Sequence, residues 1–372
     1  MKIRKKPMMV GLIVLFVIAV ATAVVLNLPT FGASATGSRL ERIQHSPHYK
    51  DGAFEYPIPT PTMDPAFSFW KLLRAYMNPL PGQSPAQPLP VEKTDLKVLK
   101  GSEPLLVWFG HSSYFLRING KNILIDPVFC ERPSPFQFIG SKRYPGTEVY
   151  SADDFPELDA VILTHDHYDH LDYEAITRLI PKTRHFHAAL GVGAHLERWG
   201  ASPGAITEYD WGDRGTICTD IELIATPARH FSGRGFRRNK TLWTSFVFRT
   251  NDLKLFLGGD SGFGPHFKEI GEKYGPFDLA LLECGQYNEM WPRIHMMPEE
   301  TAQAAVELKA RTLMPVHWAK FTLGLHPWKE PIERVVKKAG ELHLPLMTPR
   351  IGQVVMLKDT LLPTEHWWAP LK

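Results

Sequence analysis

A chain of 372 residues, 44% hydrophobic and 22% charged, is long enough to bury a sizeable core and too apolar to be a disordered protein. Its net charge of +3 is not clustered in the body of the chain, which leaves no nucleic-acid partner to expect. Cys130, Cys218 and Cys284 form no CxxC pair, so no disulfide framework is implied and small buried apolar side chains are the expectation; a thiolate ligand stays open for Cys284 alone.

In chain order, residues 1–9 are a basic flank carrying Lys2, Arg4, Lys5 and Lys6, and residues 10–28 are an uncharged, mostly apolar run. That run has the length of a bilayer-spanning helix. Basic residues before it favour a cytoplasmic N-terminus, which puts the body on the far side of the membrane. The expectation is a retained single-pass anchor. The alternative is export after cleavage at Ala33-Ser34-Ala35, although the apolar run is long for a signal.

Residues 29–96 read as a proline-rich extension, since Tyr56-Pro57-Ile58-Pro59-Thr60-Pro61 fits neither a helix nor a central strand. Residues 67–77 form a short helix within it. The aromatic face of that helix is expected to dock on the main domain, the other option being a membrane surface.

From residue 97 to 372 the pattern is that of one α/β domain. Strands are expected at 104–109, 113–118 and 122–126, with Asn119-Gly120 as a hairpin turn. Further strands fall at 160–164, 221–226, 245–250, 253–257, 277–282, 312–316 and 352–357. Helices fall at 173–180, 192–199, 298–309 and 331–342. Strands and helices alternate in two groups, which implies two sheets with helices outside and a site along one rim.

The densest chemistry is Thr164-His165-Asp166-His167-Tyr168-Asp169-His170-Leu171-Asp172, directly after the apolar strand Ala160–Leu163. Imidazole and carboxylate are preferred ligands of zinc and similar metals. His165 and His167, two apart, point to one side of an extended segment and can share a metal. Asp169 and His170 follow on the turn and can face a second metal. Downstream, His230, Asp260 and His317 each follow an apolar strand. Seven such residues suffice for two metals, with a carboxylate such as Asp260 shared. A water held between two divalent cations loses its proton near neutral pH and becomes a nucleophile. Asp166 is expected to support a neighbouring imidazole or strand.

These motifs resemble the metallo-β-lactamase superfamily. Within it they resemble the family of phospholipases D that hydrolyse N-acyl-phosphatidylethanolamine. The resemblance runs through Phe109-Gly110-His111, Asp126-Pro127-Val128-Phe129, Gly140-Ser141-Lys142-Arg143 and Asn239-Lys240-Thr241-Leu242-Trp243. It continues in Gly259-Asp260-Ser261-Gly262, Gly275-Pro276-Phe277-Asp278-Leu279-Ala280, His295-Met296-Met297-Pro298-Glu299-Glu300 and His317-Trp318. It implies an αββα sandwich with two zinc ions. It also implies that His165, His167 and His230 hold one zinc, Asp169, His170 and His317 the other, and that Asp260 bridges. Asp169, Asp260 and His295 would be catalytic. The implied reaction is zinc-dependent phosphodiester hydrolysis of N-acyl-phosphatidylethanolamine or a related phospholipid by a metal-bridging hydroxide. Residues 283–291 are more polar than that family implies and read as a loop lining the cleft.

Substrate contacts are expected from His111, Arg143 and Trp291, with the alternative for His111 that it hydrogen-bonds a ligand aspartate. His185, His187 and His195 are placed in a surface-helix region with no catalytic role. No serine sits in a GxSxG elbow, so a nucleophilic triad is excluded. The competing functions are a lactonase or other hydrolase using the same metals, and a metal-binding scaffold without turnover.

Overall fold

The computed structural model describes residues 5–359 and 361–372. Helix α1 (Lys5–Leu26) is followed by Pro29, whose ring cannot continue it. Its segment Met9–Leu26 has a mean hydropathy of 3.0 and no buried residue, so it is long and apolar enough to cross a membrane. The extension then makes α2 (Gly37–His45), a small ribbon of β1 (Tyr49–Lys50) and β2 (Ala53–Phe54), and α3 (Phe69–Met77). It packs on the body, with Ile43, Phe54, Leu89 and Leu96 buried.

The aromatic face of α3 does not dock as expected. Phe67 and Leu72 pack against Met290, Trp291 and Ile294, whereas Trp70 and Met77 are 75% and 72% exposed.

The body is two sheets. The first contains β3 (Leu105–Trp108), β4 (Tyr114–Ile118), β5 (Lys121–Ile125), β6 (Ala160–Leu163), β7 (Phe186–Ala189) and β8 (Ile206–Tyr209), with α4 (Tyr173–Leu179) and α5 (Gly193–Arg198) between the later strands. The second contains β9 (Arg214–Ile217), β10 (Ile221–Thr226), β11 (Ser245–Arg249), β12 (Lys254–Leu257), β13 (Leu279–Glu283) and β14 (Leu313–Val316). Helices α6 (His266–Tyr274), α7 (Pro298–Glu307) and α8 (Glu330–Glu341) belong to this half, and β15 (Val354–Met356) returns to pair antiparallel with β3. The sheet orders are β15-β3-β4-β5-β6-β7-β8 and β14-β13-β12-β11-β10-β9. Each sheet is antiparallel on one side and parallel on the other.

Alternation decides which side chains meet. Leu106, Trp108, Leu116, Ile123 and Ile162 join the core shared with the second sheet. Val107, Phe115, Leu124, Val161 and Leu163 point the other way, into the core under α4 and α5. The result is the expected αββα layering. The β4–β5 turn has Asn119 and Gly120 at φ 52° and 75°, a tight turn that asparagine and glycine tolerate.

His185 and His187 are not on a surface helix. His187 lies in β7, is 3% exposed and places Nδ1 2.7 Å from the Tyr209 hydroxyl, while His185 pairs Nε2 with Thr207 Oγ1 at 2.8 Å. Cys130 and Cys284 are buried as expected, and Cys218 is half-buried.

Lys320 ties the rim together. Its buried Nζ donates to the Phe109 carbonyl at 3.0 Å and the Val128 carbonyl at 2.7 Å. Burial lowers its amine from 10.5 to about 7. The unfolded lysine holds its proton up to about 10.5, so between those values the unfolded state binds more protons and stability rises with pH. This one group contributes up to about 1.4 kcal/mol per pH unit. Urea unfolding at pH 7, 8 and 9 is expected to show a shallower pH slope in Lys320→Met than in the parent. Equal slopes would contradict a neutral buried amine.

Candidate metal centre

The carboxyl ends of strands from both sheets meet along one rim. His111 follows β3, Asp126 follows β5, His165 follows β6, His230 follows β10, Asp260 follows β12, Glu283 closes β13 and His317 follows β14. His111, Asp126 and His317 have φ of 53°, 41° and 66°, left-handed conformations that cost energy for non-glycine residues and here turn their side chains at strand ends. Gly259 (φ 61°) allows the chain before Asp260 to pass close to Thr164, where a Cβ would sit 3.0 Å from the threonine Cβ.

All seven sequence-derived ligand candidates come together. His165, His167, His230 and Asp260 form one cluster, and Asp169, His170 and His317 form a second that also includes His111. Asp260 joins them. Its Oδ2 is 3.9 Å from His165 Nε2 and 3.7 Å from His230 Nε2, and its Oδ1 is 3.2 Å from His170 Nε2.

The donor set fits cations. His167 Nδ1 lies 2.9 Å from His165 Nε2 and 3.2 Å from His230 Nε2. One N–H cannot satisfy three converging ring nitrogens, whereas nitrogens around one tetrahedral zinc lie about 3.3 Å apart. In the second cluster, His170 Nε2 and Asp260 Oδ1 are buried, face each other at 3.2 Å, and complete no well-formed hydrogen bond.

Burial holds His165, His230 and His317 well below the usual imidazole range, with neighbouring imidazoles adding to the effect, and burial lowers His167 to about 4. Neutral rings are what metal binding requires. His170 is held well above that range: burial alone would lower it, but Asp260 and Asp169 outweigh burial. Burial pushes the Asp260 carboxyl up to about 6. A cation between these groups would replace the proton held there.

Surrounding groups set each ring's orientation. Asp126 Oδ2 accepts from His170 Nδ1 at 2.8 Å, and the same carboxylate accepts from Thr164 N at 2.9 Å and Thr164 Oγ1 at 2.6 Å. The Ile294 carbonyl accepts from His230 Nδ1 at 2.7 Å. Ser112 Oγ is 3.0 Å from His317 Nδ1. Asp166 accepts from Gly233 N at 2.7 Å and faces His195 Nε2 at 3.3 Å. His295 pairs Nδ1 with Glu283 at 3.0 Å, and burial pushes that fully buried carboxyl well above the usual range. Asp126 has no role assigned from the sequence, and Glu283, expected in a loop lining the cleft, is instead buried at the end of β13; both follow the strand-end pattern that singled out the ligands.

Of the expected substrate contacts, Arg143 needs correction, and for His111 the alternative reading, a hydrogen bond to a ligand aspartate, is the one observed. His111 is fully buried, with Nε2 3.0 Å from Asp169 Oδ2, so it sits behind the aspartate rather than in the cleft. Arg143 donates Nη1 to the Phe129 carbonyl at 2.7 Å and does not line the cleft, because its guanidinium is used to hold the loop after β5. Trp291 does line it. The cleft is about 250 Å³, with His167, Asp169, Asp260, His295 and His317 at its base and Tyr76, Phe231, Trp291, Ile294 and Leu323 as walls. Arg238 supplies the cation that Arg143 does not. Trp243, Trp318 and Trp328 are core residues.

A family model described as a beta-lactamase superfamily domain matches residues 121–318, more than half of the chain. The chain belongs to the metallo-β-lactamase superfamily. Within the superfamily it is 39% identical over 339 residues to an uncharacterised protein of Mycobacterium tuberculosis (strain ATCC 25618 / H37Rv), covering 87% of this chain and 88% of that one. It is 32% identical over 234 residues to N-acyl-phosphatidylethanolamine-hydrolyzing phospholipase D 1 of Caenorhabditis elegans, covering 58% of this chain and 64% of that one. Igni18, a metallo hydrolase from Ignicoccus hospitalis, has the same fold: TM-score 0.51 at 21% identity, covering 68% of this chain and 97% of that one. The donor set on this rim is that of a metal-dependent hydrolase of the metallo-β-lactamase superfamily.

Proposed function

We propose that the chain is a zinc-dependent phosphodiesterase of the phospholipase D type, acting on N-acyl-phosphatidylethanolamine or a related phospholipid. The observation that carries this reading is the paired cluster joined through the two oxygens of Asp260, opening into a cleft with apolar walls. Two relatives, from C. elegans and Saccharomyces cerevisiae, are named for hydrolysis of that lipid and are each 32% identical to this chain. His165, His167 and His230 would hold one ion, Asp169, His170 and His317 the other, with Asp260 between them. The histidine-rich set suits zinc. Two bound zinc ions would acidify water and neutralise charge on the phosphate.

The chain's own groups do the rest. Arg238 at the rim pairs with the lipid phosphate, and Trp291, Phe231 and Leu323 take apolar substrate surface. His295, held through Nδ1 by Glu283, has Nε2 left to pass a proton to the leaving alkoxide. The apolar helix α1 keeps the body beside its lipid supply as a single-pass anchor, with the catalytic body on the non-cytoplasmic side.

The test pairs elemental analysis with product analysis. Purified protein is expected to carry two zinc equivalents and to release phosphatidate and N-acylethanolamine from N-acyl-phosphatidylethanolamine micelles. Zinc-loaded protein that opens lactones and leaves the lipid intact would replace this function with the lactonase one. Zinc binding with neither ester cut would favour a scaffold.

A further inference from the structure

The segment that joins α1 to the body is built into the support of the metal loop. Pro29 carbonyl accepts from Trp199 Nε1 at 2.8 Å, and Thr30 carbonyl accepts from Arg234 Nε at 2.9 Å. The same Arg234, 4% exposed, donates Nη1 to the carbonyls of Asp166 at 2.8 Å and Leu171 at 2.7 Å, near the two ends of the loop that carries four ligand candidates. Next along the segment, Ala33 N–H donates to His195 Nδ1 at 2.9 Å. Gly32 (φ 72°) makes this approach possible, since a Cβ there would lie 2.0 Å from the same Nδ1.

These contacts determine a tautomer. A backbone N–H can only donate, so His195 Nδ1 must accept and, in the neutral ring, Nε2 carries the proton. That proton faces Asp166 Oδ2 at 3.3 Å. Both residues are buried, His195 at 5% exposure and Asp166 at 2%. Asp166 sits between His165 and His167, so its position sets theirs. Without the Ala33 donor, Nδ1 is a buried acceptor with no partner, and the ring is free to turn away from Asp166.

We propose that residues 29–33 are a positioning element of the metal centre: Ala33 N–H holds His195 as an Nε2–H donor, and His195 holds Asp166 between two ligands. The segment therefore links anchor and active loop through buried hydrogen bonds. A cut after Ala35 would remove it, so the working protein retains it. The inference rests on the metal-centre reading above.

The test uses the full chain in detergent micelles loaded with Co²⁺, reading the visible absorption of the bound ion and the metal retained after dialysis against a chelator. Ala33→Pro deletes the single donor, and Ala33→Gly keeps it. Ala33→Pro is expected to hold metal about 10- to 100-fold more weakly, with an altered Co²⁺ spectrum, while Ala33→Gly matches the parent. His195→Leu should repeat the loss, and His195→Gln, which keeps a donor toward Asp166, should restore most of it. Equal retention and identical spectra in Ala33→Pro and Ala33→Gly would overturn the proposal. If Ala33→Pro does not fold, parent-like metal binding in His195→Leu overturns it instead. A parent chain that binds no Co²⁺ would remove the metal centre itself, a separate result.

Discussion

Asp260→Asn is expected to lower turnover by about 10³-fold or more and to leave less metal bound, with the fold intact. Among the described residues, Asp260 contributes the carboxylate that reaches both clusters, one oxygen toward His165 and His230 and the other toward His170. Asparagine keeps the shape and removes the charge. Its amide group would aim an N–H at a site that needs a lone pair, so both clusters lose an anionic donor at once. Because asparagine is nearly isosteric with aspartate, the packing around the site and the fold should survive. The measurements are product release, metal content and a thermal melt on the same sample. Parent-level activity in this variant would take Asp260 out of the site.

Asp126→Asn should weaken one ion selectively. Asp126 accepts from His170 Nδ1, which leaves His170 Nε2, facing Asp260, as the atom that would take a cation in place of its proton. An amide nitrogen in place of Oδ2 donates instead of accepting. His170 must then accept at Nδ1, which moves its proton onto Nε2, the atom meant for the metal. Metal affinity in the second cluster should fall about 10- to 100-fold. In the cluster of His165, His167 and His230, the Ile294 carbonyl holds His230 independently of Asp126, so that cluster should lose less affinity. Metal titration of the variant is expected to resolve one tight and one weak equivalent. Two equally tight equivalents would show that Asp126 does not orient His170. The substitution also disturbs two bonds to Thr164, so a stability loss of about 1–3 kcal/mol should accompany the change.

The ligand candidates were legible because His165, Asp260 and His317 come at or just past the ends of short apolar strands, and a buried strand carries the residues at its end to the rim. Asp126 and Glu283 obey the same rule. A lone carboxylate after a strand looks like any surface acid until burial is known, and burial comes from the partner sheet. Strands β7 and β8 escaped for a different reason. Phe186-His187-Ala188-Ala189 and Ile206-Thr207-Glu208-Tyr209 are short and mix polar with apolar residues, and tertiary pairing decides such segments more than propensity does. The contact after α1 was invisible for a related reason: Ala33 reads as part of a possible cleavage site, and only the fold brings it to His195.

Helix α3 shows what a pattern can and cannot convey. Phe69, Trp70, Leu73, Tyr76 and Met77 make the helical stripe that the sequence predicts, but a stripe has the same spacing whether a protein or a solvent covers it. Arg143 is a similar case. A basic residue in a loop reads as a phosphate ligand, yet its guanidinium holds the Phe129 carbonyl, and Arg238 reaches the cleft.

Under the proposed function, water activated on this rim attacks phosphorus. Hydrolysis of N-acyl-phosphatidylethanolamine in ¹⁸O-water, followed by mass spectrometry of the products, tests it most directly. The expected result is one ¹⁸O in phosphatidate and none in N-acylethanolamine. Label in a released fatty acid, with phosphatidate absent, would show attack on a carbonyl and contradict a phosphodiesterase.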